Sequence, residues 1–349
     1  MAALMSPDLF AVPVLDRTSQ ASLQKALDGK AKPPGALGRI ENLSLTLGLI
    51  QGRAKPVIER PVLLVFAGDH GLTRSGVAAF PSGVTVAMVD TLLAGKASAN
   101  AFARVVGAEV QVIDAGVAAD LSDRVGLIQA KVASGTGDAS LEPAMTPQQA
   151  EAALLAGARV ADDAIADGAD LIALGEMGIG NSASAALLMH RLAPASLDDC
   201  VGQGAGHSPE GMARKRAVLA QAAARSDATE PFDVLTQFGG YEIAMMAGAL
   251  LAAAKARVPV LVDGFIGTAA ALLAVRLAPA ARDYCLFAHA SAEAGHRLML
   301  DALDARPLLE LDMRLGEGTG ALLAVPLVKA ACALLSEVAE LSDVLEAAG

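Results

Sequence analysis

The stretch Ala169–Leu192, ADLIALGEMGIGNSASAALLMHRL, changes its periodicity partway through. It opens on a short apolar run of strand length. Gly175, Gly178 and Gly180 then break the run, and small and apolar residues continue from near Ser182 at helical spacing. The same order of apolar run, polar or glycine turn and Ala/Leu-rich segment recurs in RPVLLVFAGDHG from Arg60, AEVQVIDAGV from Ala108, VPVLVDGFIGTAAALLAVRL from Val258 and DYCLFAHASAEAGHRLMLDAL from Asp283. Repeated β-α units predict an α/β fold, a doubly wound and mostly parallel Rossmann-like sheet with helices on both faces.

Helix signals agree with this reading. In MTPQQAEAALLAGARVADDAIADG, Thr146 is placed as N-cap, Pro147 at the first helical position and Gln149 three residues after the cap, which is a capping box; Gly168 supplies the stop. Residues up to about 58 carry helical stretches without a convincing strand, and the chain after Gly320 reads as helix, with one last strand possible in ARPLLELDMRLGEG. The expected division is a large α/β domain over 59–305 and a smaller, mainly helical domain from 1–58 and 306–349.

Composition narrows the function. A 54% hydrophobic content over 349 residues supplies a large core, while 3% aromatics and no Trp require it to be built from small aliphatic side chains. A formal charge of −11 without a Lys/Arg cluster argues against nucleic acid. The three cysteines, Cys200, Cys285 and Cys332, show no metal spacing or disulfide framework. The N-terminus lacks the pattern of a signal peptide, and Pro326 and Lys329 interrupt the longest apolar run, so a cytoplasmic protein off the membrane is expected.

Ligands of open α/β sheets bind beyond the carboxyl ends of the strands. Asp69, His70, Asp114, Glu176, Asp263, His289 and Ser291 all fall there. The GEMGIGNSASAALL turn offers amide groups at a helix N-terminus, suited to a terminal phosphate monoester; it equally serves as a tight turn needing glycine backbone angles. It is neither the nucleoside-triphosphate loop nor the dinucleotide fingerprint. Lys215, between Arg214 and Arg216, reads as a solvated helix face unless a phosphate lies opposite it. Glu242 opens a long apolar helix, where the dipole gives a carboxylate a structural role. Among the histidines only His70 and His289 stand at strand ends, and none forms a metal pair.

Glu317, in LDMRLGEGTGALLA, sits between Gly316 and Gly318 ahead of an apolar helix. Glycine neighbours let a ligand approach, and apolar surroundings raise a carboxyl pKa toward that of a useful base. The alternative is that Glu317 caps the helix that follows.

Seven segments together, KPPGALGRIENL, AGDHGLTRSGVAAFPSGVT, GEMGIGNSASAAL, FGGYEIAMMAGALL, PVLVDGFIGTAAALLA, HASAEAGH and LDMRLGEGTGALLA, run from Lys32 to Ala324 in one order. In them the chain resembles the nicotinate-nucleotide–dimethylbenzimidazole phosphoribosyltransferases of cobalamin biosynthesis. The resemblance implies transfer of a phosphoribosyl group from nicotinate mononucleotide to 5,6-dimethylbenzimidazole, with inversion at the anomeric carbon. It makes Glu317 the base that takes the azole proton and sets Glu176 against the ribose or reacting centre. It puts the phosphate on Gly178, Ile179, Gly180 and Asn181 with Lys215, and a ribose contact at Ser291. The azole pocket falls to Phe80, Pro81, Ser82 and Leu315. No cofactor and no metal are called for, and a homodimer is implied.

The chain departs from the family pattern in places. Ser82 and Gly83 follow the Phe-Pro pair where many relatives carry Gln, which opens the alternative of another benzimidazole, adenine or a phenol as acceptor. Gln203 and Ala205 replace an arginine and a threonine, and ASGTGDAS lacks an Arg-Asn pair; these changes motivate a second alternative, a non-catalytic nucleotide-binding module.

Overall fold

The computed structural model describes residues 10–349 apart from Gln203, Ala205 and His207. Six strands, β1 (Pro61–Gly68), β2 (Glu109–Gly116), β3 (Leu127–Gln129), β4 (Leu171–Met177), β5 (Val260–Val262) and β6 (Cys285–Phe287), form one sheet in the order β3-β2-β1-β4-β5-β6. Every pairing in it is parallel. A two-residue ladder of β7 (His289–Ala290) with β8 (Leu309–Glu310) supplies the late strand expected before Glu317. The edge strand β3 was not expected: with three residues, of which only Leu127 is buried, it carries no readable alternation.

The β1 run PVLLVFAG is apolar throughout because both faces of the sheet are covered. Val62, Leu64 and Phe66 point to a layer containing the helices Pro147–Ala166, Asn181–Leu192, Tyr241–Lys255 and Phe265–Leu277. Leu63, Val65 and Ala67 point to the other layer, with Arg39–Gln51, Gly83–Leu93, Ser98–Val106 and Thr319–Ser336. Small residues set the spacing of these layers. A methyl group on Gly157 would meet the carbonyl of Met245, and one on Gly248 the carbonyl of Leu154, so two long helices cross backbone to backbone. The capping box forms as read: Thr146 N–H donates to Gln149 Oε1 at 2.8 Å and Gln149 N–H to Thr146 Oγ1 at 3.2 Å.

The chain ends meet. Lys30 and Glu340 form an isolated antiparallel bridge, and Lys30 Nζ lies 2.6 Å from Glu340 Oε1. Thr319–Ser336 runs on through Pro326 and is long and apolar enough, by length and composition, to cross a membrane. Its Ala321, Leu322, Ala324, Val325 and Val328 are fully buried against β4, β5 and β7, which accounts for that apolarity within the fold.

Successive strands lie on one side of β1 (β2, β3) and then on the other (β4, β5, β6). The switch falls between β1 and β4, and a crevice opens there at the carboxyl ends.

Candidate active site

A cavity of about 280 Å3 occupies this crevice. Its walls come from the segment after β4, the segment after β5, the β7 region, the loop ending at Glu317 and the chain between Val77 and Met88.

Glu317 occupies a turn in which three consecutive residues have left-handed backbone: Gly316 at φ +89°, Glu317 at +60° and Gly318 at +79°. The turn is pressed onto β4. A methyl group on Gly316 would strike Glu176 Oε1, one on Gly318 would strike Leu63, and one on Gly175 would meet the Glu317 carbonyl at 2.8 Å. Only glycine fits these sites, and the one side chain left, Glu317, is directed to the cavity wall. It does not cap the helix that follows. Gly318 precedes that helix, while the Glu317 carboxylate meets a different one: Ala99 N–H, in the first turn of Ser98–Val106, donates to Oε2 at 3.4 Å. Burial raises the Glu317 pKa, the Ala99 amide opposes this, and nearby Asp263 adds to the rise.

Glu176, near the end of β4, is buried beside Gly316 and accepts a hydrogen bond from Asn181 Nδ2. Burial, with the charges of Asp263, Glu242 and Glu317, pushes it up to about 8 despite the Asn181 bond. Glu176 is therefore mostly protonated at neutral pH, and with Oε2 accepting from Asn181 it has Oε1 to carry the proton. Asp263, after β5, accepts from Ala321 N–H at 2.9 Å and lies 3.6 Å from His289 Nε2; burial raises its pKa too. Glu293 lines the same cavity and burial raises its pKa as well, so one cavity holds four carboxyl groups with raised proton affinity, an arrangement that favours a cationic ligand and a transferable proton.

The glycine turn serves packing first. A methyl group on Gly178 would meet the Gly68 carbonyl, and Gly180, at φ +96°, has the Thr73 side chain 2.8 Å from where one would stand. Ile179 N–H already donates to Thr85 Oγ1 at 3.2 Å and Asn181 N–H to the Gly178 carbonyl at 3.2 Å. Among the described residues the amides of Gly180 and Ser182 take no partner. Gly178, Ile179, Gly180 and Asn181, the turn residues named from sequence, all line the cavity together with Ser182.

Lys215 is no solvated side chain. It is fully buried and donates to Ser182 Oγ at 3.0 Å and to the Gly202 carbonyl at 2.9 Å. Burial lowers its pKa to about 8, and Glu293 opposes the shift. The missed signal is helical phase: Lys215, Leu219 and Ala222 are the buried residues of Pro209–Arg225 and share one face. Gln203 and Ala205, next to Gly202 and Gly204 in the chain, lie outside the described residues.

Ser291 lines the cavity, and His296 braces it. Ser291 N–H donates to His296 Nδ1 at 2.8 Å, so Nε2 carries the proton and donates to Thr268 Oγ1 at 2.9 Å. Burial holds His296 down at about 3, hence neutral. The sequence reading passed over His296 and favoured His70, which instead lies 2.7 Å from Glu242 Oε1 in a fully buried pair and does not line the cavity. Asp69 and Asp114 are likewise structural: Asp69 accepts from Thr85 Oγ1 at 2.7 Å and Ala118 N–H at 2.9 Å, and Asp114 from Val117 N–H at 2.9 Å.

Of the expected base-pocket residues, Phe80 and Leu315 form the cavity rim, 48% and 58% exposed. Pro81 and Ser82 do not line it: Pro81 faces solvent, and Ser82 opens the Gly83–Leu93 helix with its hydroxyl 3.3 Å from Thr73 Oγ1. Glu293, absent from the sequence expectations, lines the cavity near Lys215.

A family model described as phosphoribosyltransferase (DBI_PRT) matches residues 12–344. The nicotinate-nucleotide–dimethylbenzimidazole phosphoribosyltransferase of Cupriavidus taiwanensis is 54% identical over 333 residues, covering 95% of this chain and 96% of the relative. The enzyme of that name from Cupriavidus necator is 53% identical over 330 residues, covering 94% and 95%. The crystal structure of CobT from Thermus thermophilus is similar with a TM-score of 0.90 at 44% identity, covering 93% of this chain and 98% of that one.

Proposed function

The chain belongs to the phosphoribosyltransferase family whose model it matches from residue 12 to residue 344, and we propose that it moves the phosphoribosyl group of nicotinate mononucleotide onto 5,6-dimethylbenzimidazole. The products are α-ribazole 5′-phosphate and nicotinate, as cobalamin biosynthesis requires.

The nucleotide enters with its pyridinium among the carboxyl groups and its phosphate against Ser182, Gly180 and Lys215. The azole nitrogen attacks C1′ from the face opposite the pyridinium. As the new C–N bond forms, the old one breaks and its electron pair neutralises the departing nicotinate ring. The other azole nitrogen becomes acidic, and Glu317 takes its proton. Protonated Glu176 donates to a ribose oxygen, and Ser291 supports the sugar. Because the leaving group is already cationic, the enzyme's work is orientation plus one proton acceptor.

The observation that carries this reading is the Glu317 carboxylate: one acid, in a turn where neighbouring side chains are sterically forbidden, on the wall of the cavity. The test incubates the protein with nicotinate mononucleotide and 5,6-dimethylbenzimidazole and follows both products by chromatography. Stoichiometric appearance of both supports the proposal; binding of both substrates with no product would leave a nucleotide-binding module instead.

The open rim favours a second reading of the acceptor. With Phe80 and Leu315 half exposed and Ser82 turned away, the azole end is loosely walled, which suits another benzimidazole, adenine or a phenol. Competition among mixed bases decides it, and exclusive use of 5,6-dimethylbenzimidazole removes this reading.

The proposal includes a homodimer in the cytoplasm. It also includes the division into 59–305 and the joined ends 1–58 and 306–349, supported by the Lys30–Glu340 bridge. Because Thr319–Ser336 packs on the sheet, the two parts share one core.

A further inference from the structure

Glu293 has no role in the chemistry above, yet it lines the same cavity as Gly180, Ser182 and Gly204, and Lys215 lies behind that wall, fully buried. Its Oε2 is buried without a hydrogen-bond partner among the described residues and lies against Gly202, where a methyl group would collide with it. The Gly202 carbonyl is the acceptor for Lys215 Nζ, and a methyl group on Gly204 would stand 3.5 Å from the same ammonium. Lys215 and Glu293 therefore both lie against Gly202 and Gly204.

A carboxylate is an unexpected companion for a phosphate. If ionised it repels the dianion; if protonated it donates a hydrogen bond to a phosphate oxygen. The charged groups facing it are Lys215, from Pro209–Arg225, and Arg314, from the loop leading to Glu317. The Gly204 amide also donates to it. Burial outweighs all three and raises its affinity for a proton. Arg314 is itself occupied, donating to the Gly204 carbonyl at 3.2 Å.

We infer that Glu293 is a selectivity residue of the phosphate cradle: in its neutral form it donates a hydrogen bond to the phosphoryl group held by Lys215, and on losing its proton it repels that group. This rests on the reading that the cradle takes the phosphate of a nucleotide. Nucleotide binding is then linked to protonation of Glu293, and the linkage sits in KM rather than in the chemical step.

The experiment measures kcat and KM for nicotinate mononucleotide from pH 4.5, the ordinary glutamate value above which burial moves Glu293, to pH 9 in the wild type and in Glu293→Gln, with calorimetric Kd values at both extremes. Gln keeps a donor and cannot ionise. The ratio of wild-type KM to variant KM is expected to climb about tenfold across this range, with kcat equal within about twofold, since one added like charge near a bound ion costs on that order. Glu176 titrates in both proteins and cancels in the ratio, whereas Lys215 loses the support of Glu293 in the variant and drives the ratio down with rising pH, the opposite sign to the climb expected from Glu293. A ratio that stays flat overturns the inference, as does a variant KM that is worse at every pH. Should Glu293→Gln fail to fold, Glu293→Asp draws the carboxyl away from the cradle and is expected to flatten the pH dependence of Kd; an unchanged slope overturns the inference. A pH-linked Kd in a protein that makes no product would sink the proposed reaction and leave the role of Glu293 standing.

Discussion

Glu317 holds φ +60°, a conformation that costs a residue with a β-carbon about 1–2 kcal/mol. Glycine at 317 would relieve that strain and remove the base. Glu317→Gly is therefore expected to be more stable than Glu317→Ala by about 1 kcal/mol in urea denaturation, while both lose about 10²–10⁴-fold in turnover. Equal stabilities would show that the turn stores no strain; full activity in either would remove the base. Glu176 allows a separate test with a definite sign. Its pKa rises from 4.5 in the unfolded chain to about 8 when folded, so the unfolded chain releases the proton first. The stability this provides is full below pH 4.5 and is lost as pH climbs through about 8. Glu176→Gln does not titrate, so its stability relative to wild type should improve between pH 5 and pH 9, by at most about 1.4 kcal/mol per pH unit. Parallel stability curves would refute the buried, protonated state. At this scale the sequence was readable where a residue's own neighbours define its setting, as for Glu317 between two glycines. It was unreadable where burial comes from a distant segment. Lys215 read as a surface charge because its two flanking arginines hid the helix phase that turns it inward.

The helices Pro147–Ala166 and Tyr241–Lys255 make the most intimate contact in the fold, and glycine is the reason. At Gly157 and Gly248 an added methyl would meet a backbone carbonyl of the other helix, which cannot rotate away as a side chain can. Gly157→Ala or Gly248→Ala should cost about 2–3 kcal/mol by forcing the helices apart. Gly267 provides the contrast: it is helical, and a methyl there would lie 3.5 Å from Asp263 Cβ, an ordinary contact. Gly267→Ala should gain about 0.5–1 kcal/mol from helix propensity. If all three variants unfold at the same urea concentration, close helix approach is not what the glycines provide. Elements were the most legible level of this chain. Each strand named from sequence is present, because both-face burial writes a continuous apolar run, but the unit from Ala108 departs from the strand-turn-helix order: among the described residues no helix follows β2 before Pro147. The exception is β3, whose pairing with β2 follows from the path of the chain after Gly116 and leaves almost no mark on a three-residue segment.

Across the whole molecule, the edge of the sheet that carries the site was legible, since every unit delivers its polar group at a strand's carboxyl end. Which of those groups share a cavity depends on strand order, and strand order lies outside local sequence. Asp69, His70 and Asp114 ended up bracing loops, while Glu176, Asp263, His289 and Glu317 converge because β4 and β5 lie side by side beneath the Glu317 turn. The same limit applies to assembly. The helix Leu341–Ala348 has no buried residue, yet Leu341, Val344 and Leu345 recur at i, i+3 and i+4, with Leu345 63% exposed. An amphipathic helix with its apolar stripe in water gains little from its own fold. A second copy of the chain is the occupant the homodimer proposal supplies, despite the mutual repulsion of two chains of charge −11. Sedimentation equilibrium should therefore give twice the 35.2 kDa chain mass, more firmly as salt screens the repulsion. Leu345→Asp should shift the protein toward the single-chain mass without changing its circular dichroism. A dimer that ignores Leu345→Asp would move the interface elsewhere on the surface, and a wild type at the single-chain mass up to tens of micromolar would rule the homodimer out.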